Sequence, residues 1–155
     1  MDVNQIFGPA FIRAYDLESK FANYPRVVVD PLLISEFKNN NLLRNVSHSL
    51  KQESSYIKDM IRQSDDGLFF IDYLRAIVTE YENPDLYLVF LKKHREIILE
   101  SIAGLNEHNK FTEKYTWMAN YHNNFIDKLK KKNKSKKNLQ ELHINSSDFP
   151  SLQQV

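Results

Sequence analysis

Residues 8–30, GPAFIRAYDLESKFANYPRVVVD, set the strictest limit on the fold, because they demand a helix, a break and a buried strand within one short span. Proline has a φ suited to a first helical turn and biases the residue before it away from helical geometry, so Pro9 starts a helix directly after Gly8. Apolar side chains recur at Phe7, Ala10, Phe11, Ala14, Leu17 and Phe21, a three-and-four spacing that makes one continuous stripe. That stripe is expected to be a core face, with Ile12, Asp16 and Ser19 on the opposite side. Ala22-Asn23-Tyr24-Pro25 breaks the helix, and the β-branched run Arg26-Val27-Val28-Val29-Asp30 is of strand length.

A second strand is expected at residues 68–73, LFFIDY, after the turn signal Asp65-Asp66-Gly67. Both runs are apolar on alternate residues facing either way, a pattern of strands covered on two sides. Two strands make a poor independent sheet, so missing strands or a covering partner are expected. Residues 1–7 could form a strand end or an entry segment. Leu32, Leu33, Ile34 and Phe37 predict a short helix after Pro31, and a second helical pattern runs from Leu42 or Leu43 to Met60 and Ile61.

The C-terminal half is helical. Asn83-Pro84-Asp85 opens a helix whose face carries Tyr87, Phe90, Leu91, His94, Ile97, Ile98, Ser101 and Leu105, with breakers at residues 104–109. A second helix from about Phe111 carries Tyr115, Met118, His122, Phe125, Ile126 and Leu129, and the two should form a hairpin. The fold class expected is α+β: an incomplete antiparallel sheet with covering helices and a C-terminal helical hairpin. The divisions are residues 1–82, 83–132 and a disordered basic and polar tail, 133–155.

Residues FGPAFIRAYDLES and YPRVVVDP resemble the later half of a class III nucleotide cyclase catalytic domain. They are most similar to a bacterial branch associated with pyrimidine-nucleotide signalling in anti-phage defence. The resemblance runs from about Val3 to the helix around residues 115–125, and it implies a ferredoxin-like sheet that dimerises over its site-bearing face. In purine cyclases of this class the helix offers an Asn and, one turn later, an Arg to the reacting phosphates. Aligned on Gly8 and Leu17, those places hold Ile12 and Asp16. Isoleucine cannot donate a hydrogen bond, and aspartate opposes the positive charge that a polyphosphate transition state requires. The family's two metal-binding aspartates lie on an earlier hairpin that would precede Met1. The expectation is therefore the distal part of a cyclase-like domain, truncated or dependent on a partner and not catalytic alone, with a noncatalytic interaction or regulatory module as the alternative.

Ile12, Arg13, Asp16 and Lys20 are the candidate site-facing or interface residues, and none is assigned a catalytic role. No metal site and no cofactor are expected in the isolated chain; Mg or Mn would enter only if a proximal cyclase half completed it. Asp30, Asp65, Asp66 and Asp72 read as strand-end and turn acids, His94 and His122 as hydrogen-bonded structural histidines, and Tyr115, Trp117 and Tyr121 as a core-and-rim helix surface. The expected partner is a cyclase-like chain, or a second copy in a homodimer across the sheet.

Zero cysteines exclude disulfides and thiolate chemistry, and the net charge of +1 conceals a basic excess at residues 128–137, KLKKKNKSKK. That run lacks interleaved aromatics and reads as a solubilising tail with weak nonspecific nucleic-acid contact, which ranks a dedicated nucleic-acid binder below both main readings. No apolar run approaches a membrane span and the N-terminus shows no basic leader, so a cytoplasmic protein without membrane association is expected.

Overall fold

The computed structural model describes residues 8–81, 83–104, 111–132 and 139–148. The fold is α+β with an incomplete sheet, and the chain divides into two units, Met1–Ala76 and Ile77–Val155. The division lies between Ala76 and Ile77, and the described part of the tail, residues 139–148, falls in the second unit.

In the first unit, helix α1 (Pro9–Phe21) is followed by strand β1 (Val28–Val29), helix α2 (Pro31–Asn39) and a 3-10 turn at Asn41–Leu43. Helix α3 (Leu50–Met60) leads directly into strand β2 (Ile61–Gln63), strand β3 (Phe69–Ile71) and the short helix α4 (Tyr73–Ala76). Pro9 stands in the first turn of α1 and Gly8 at its N-cap, as the sequence requires. Ser49 caps α3 by accepting from the amide of Gln52, whose side chain accepts from the Ser49 amide. This reciprocal capping starts the helix at Leu50, later than the apolar pattern suggested.

The sheet has strand order β1-β3-β2 and is antiparallel throughout. The correction here is where the helix ends: Ile61, read as the close of a helical pattern, leaves the helical region, at φ −109° and ψ 139°, and begins β2. Its apolar side chain matches a helical stripe and a strand equally well, and only pairing with Ile71 decides between them. Asp65-Asp66-Gly67 turns the β2–β3 hairpin. Gly67 has φ +79°, a left-handed conformation that glycine adopts without steric penalty.

The expected core stripe on α1 is not one. Leu17 is buried, but Phe11 and Phe21 are 53% and 44% exposed, and Ala10 and Ala14 are exposed too. The two-sided cover expected of the strands is also missing, since Phe70 is buried while Ile71 and Val27 are exposed. Three short strands do not offer enough surface to cover a thirteen-residue helix.

The second unit begins with a 3-10 turn at Ile77–Thr79 and holds helix α5 (Pro84–Ala103) and helix α6 (Thr112–Lys132). Tyr87 meets Phe125, His94 meets His122, and Ile98 shares a cluster with Ala119, so the helices run antiparallel as a hairpin. The tail departs from the disorder expected of it: Leu139, Leu142 and Ile144 are buried, and Ile144 joins the cluster of Ile98, Ile102 and Ala119. Residues 1–7, 133–138 and 149–155, on which the entry-segment reading and the rest of the tail reading fall, lie outside the described residues.

Candidate functional site

Helix α1 brings three of the four sequence candidates together. Ile12, Arg13 and Asp16 line one shallow hollow of about 530 Å³ with Gly8 and Pro9. Lys20 does not line it but reaches Asp16 at 2.8 Å, one turn along the helix. Ile12 is 59% exposed in the middle of these charges, flanked along the helix by the exposed rings of Phe11 and Tyr15.

The charged groups here are engaged with one another. Arg13 donates from Nε to Asp30 Oδ2 at 2.6 Å and from Nη2 to Oδ1 at 3.1 Å, a two-pronged ion pair joining α1 to the end of β1. Asp30 also caps α2, accepting from the Leu32 amide at 3.0 Å. The Arg13 hydrogen bond holds the Asp30 carboxyl below the usual carboxylate range, the Leu32 amide adds to this, and burial opposes both. The same pairing raises the Arg13 guanidinium. A fork locked on its own carboxylate, and an aspartate balanced by lysine, cannot turn towards a ligand phosphate without breaking those pairs.

Asp30→Ala removes both a cap and an ion pair, and should cost about 1–2 kcal/mol. Because the folded pKa of Asp30 is depressed, its contribution is complete above the unfolded value of 3.8 and is lost as pH falls through the folded one. Urea unfolding at pH 7 and at progressively lower pH checks this: the difference between wild type and variant should shrink below pH 4. An unchanged difference there would remove Asp30 as the acid-sensitive group.

A residue that the sequence reading passed over stands beneath the sheet. The Arg26 side chain is fully buried and its guanidinium is paired through both terminal nitrogens with Asp66 in the β2–β3 turn. It lies over the rings of Tyr24 at 5.3 Å and Phe70 at 5.8 Å. Asp66 is held below the ordinary carboxylate range chiefly by this arginine. Between α1 and β1 runs a second hollow, about 680 Å³, walled by Ala10, Ala14 and Leu17 on the helix side and Val27, Val28 and Val29 on the other.

In the second unit the histidines are structural, as their sequence setting implied. His94 and His122 stack with Nδ1 atoms 2.9 Å apart, and His122 Nε2 donates to the Leu142 carbonyl at 2.8 Å. Burial pushes the His94 imidazole down to about 4, and His122 is lowered too, again by burial first. Beside them Asn123 holds both main-chain groups of Ile144, donating to its carbonyl at 2.8 Å and accepting from its amide at 2.9 Å. Arg95 donates to the His143 carbonyl and pairs with Asp148. No spacing in the sequence points to Asn123, because its partner lies 21 residues away.

Tyr121 is buried and Trp117 stacks on it at 5.3 Å, the core-and-rim arrangement. The lysine run begins within α6, where Lys130 meets Gln140 and Asp127. Among the described residues no three His, Asp or Glu side chains are grouped to hold a metal ion. Among them, too, no helix is long and apolar enough to cross a membrane. No family model, curated protein or solved structure matches the chain.

Proposed function

We propose that the chain is a cyclase-like interaction module that works through a partner and does not cyclise nucleotides alone. The observation that carries this reading is the surface of α1, where exposed Ile12, Phe11 and Tyr15 surround charges already neutralised by Asp30 and Lys20. Exposed apolar side chains among internally satisfied charges suit burial under another chain better than phosphate binding, since a charge that keeps its own counter-ion costs less to bury than one stranded without a partner. The resemblance to the distal half of a class III cyclase supplies the partner class, a chain carrying the paired-aspartate strand hairpin. A link to phage or prophage nucleotide signalling follows from that resemblance. Full catalytic partnership is the second reading: the open sheet edge and exposed helix are also what a half-domain presents before its complement, with Mg or Mn, completes it.

The test incubates the purified chain with each of the four ribonucleoside triphosphates and manganese. It also measures retention of a polypeptide bearing a class III cyclase paired-aspartate hairpin. No cyclic product and clear retention are expected, with Ile12→Asp weakening retention at least tenfold, as for an interfacial anchor worth about 2 kcal/mol. Cyclic nucleotide made by the chain alone, and abolished by Asp16→Ala, would overturn the proposal. So would equal retention by wild type and Ile12→Asp.

A further inference from the structure

Residues 139–148 meet the two long helices of the second unit at a joint built on a titratable pair. Three successive carbonyls of the segment are held by three side chains: Leu142 by His122 Nε2 at 2.8 Å, His143 by Arg95 at 3.2 Å and Ile144 by Asn123 at 2.8 Å. Leu139, Leu142 and Ile144 are buried, and His122 is 0% exposed. Through its other nitrogen the His122 ring meets His94, Nδ1 to Nδ1, at 2.9 Å. These hydrogen bonds fix where the protons are. A carbonyl only accepts, so His122 Nε2 carries a proton. In a neutral ring Nδ1 is then the acceptor, and His94 Nδ1 is the donor.

One further proton keeps an N–H···N bond between the rings but places a cation in a site closed to water. A second sets two N–H groups face to face at 2.9 Å with no acceptor between them. The pair therefore resists both charges while the segment is docked, and takes up both once water reaches it. Its charged surroundings act in the same direction. Arg95 on α5 and His143 on the segment both disfavour a charged His122. Their nearest carboxylates are already paired, Asp148 with Arg95 and Asp127 on α6 with His143. The Leu142 carbonyl favours the charged ring, but burial outweighs it.

We propose that the His94–His122 pair is a proton-operated latch: neutral, it holds residues 139–148 on the α5–α6 hairpin, and its protonation in mildly acidic solution releases them. The segment is the part that opens, because α5 and α6 keep their own main-chain hydrogen bonds while the segment is fastened mainly through side chains. Release exposes Leu139, Leu142 and Ile144 and uncovers Ile98, Ile102 and Ala119, against which Ile144 packs. Both rings are lowered by burial first, so their contribution to docking is complete above the ordinary value of 6.5. It is lost as pH falls from there towards the folded values, about 4 for His94. That window lies above the one in which Asp30 and Asp66 lose their contributions, so the second unit responds before the first. The latch is independent of the α1 surface and of the partner reading built on it.

Hydrogen exchange of the full chain tests this, read at the Ile144 amide, which donates to Asn123, and corrected for the intrinsic rate at each pH. The opening constant should rise at least about tenfold between pH 6 and pH 5, the response to uptake of one proton or more. Over the same range far-ultraviolet circular dichroism should keep its helical signal. His143→Gln should leave the rise intact. His94→Gln combined with His122→Gln, which keeps a donor for the Leu142 carbonyl, should flatten it to less than about threefold. Imidazole nitrogen-15 signals of the wild-type chain give a check that needs no variant: both rings should be neutral in the docked form at pH 5.5. An opening constant independent of pH, or a rise abolished by His143→Gln, overturns the latch. So do rings that are charged while the segment stays docked. Helical signal lost in step with Ile144 opening overturns it too, because the protons would then unfold the whole unit instead of freeing the segment.

Discussion

Ile144→Asp will destabilise the second unit by at least 4 kcal/mol, enough to unfold it at room temperature if its stability lies near the low end of the usual ~5–15 kcal/mol range. Ile144 is 2% exposed among Ile98, Ile102 and Ala119. Removing its side chain from that cluster forfeits roughly 2–3 kcal/mol of apolar burial. An aspartate there adds several more, because a buried carboxylate must either stay charged without a partner or take up a proton at neutral pH. The backbone around it is held by Asn123, so the segment cannot swing the new side chain outward without breaking both of those hydrogen bonds. Urea unfolding followed by far-ultraviolet circular dichroism measures the effect. A midpoint within error of wild type would mean that residues 139–148 are a dispensable tail, as their polar composition suggested.

Arg26→Ala should cost about 3 kcal/mol and act on the first unit. Removing one partner of a buried ion pair typically costs 3–5 kcal/mol because the other charge is stranded. Here Asp66 is 36% exposed and can be rehydrated, which places the expected value at the lower end. The lost stacking over Tyr24 and Phe70 pulls it up again. Arg26→Lys keeps the charge but loses the planar fork that binds both carboxylate oxygens, and should fall about midway. A second signature accompanies the first. Asp66 has a depressed folded pKa, so its pairing stabilises fully above the unfolded 3.8 and fades as pH falls through the folded value. In Arg26→Ala that acid-range loss should flatten. Equal acid sensitivity in wild type and variant would show that another cation sets the Asp66 pKa.

Several parts of the fold were legible because their signals are local. Pro9 after Gly8, Asp30 before Pro31, Asn83 before Pro84 and the Asp-Gly turn at residue 66 each act through their own backbone, so α1, α2, α5 and the hairpin fall close to where the sequence placed them. The candidate surface was legible in part for the same reason. Ile12, Arg13 and Asp16 share a hollow because a helix brings residues three and four apart together.

The amino-acid order alone settled the starts of α1, α2 and α5 and the Asp-Gly turn, all of which depend on neighbours within a few positions. Tertiary structure decided whether Ile61 ends a helix or begins β2, since both conformations accept isoleucine and only Ile71 across the sheet selects one. It decided that Arg26 is buried against Asp66, forty residues on, and that a polar C-terminal stretch is fastened by Asn123. It also left the α1 stripe open, because periodicity states which residues share a face and says nothing of whether enough surface exists to cover it. Pairings of that range are chosen by the sum of burial and hydrogen bonding over the whole fold, a quantity that no short window of sequence contains.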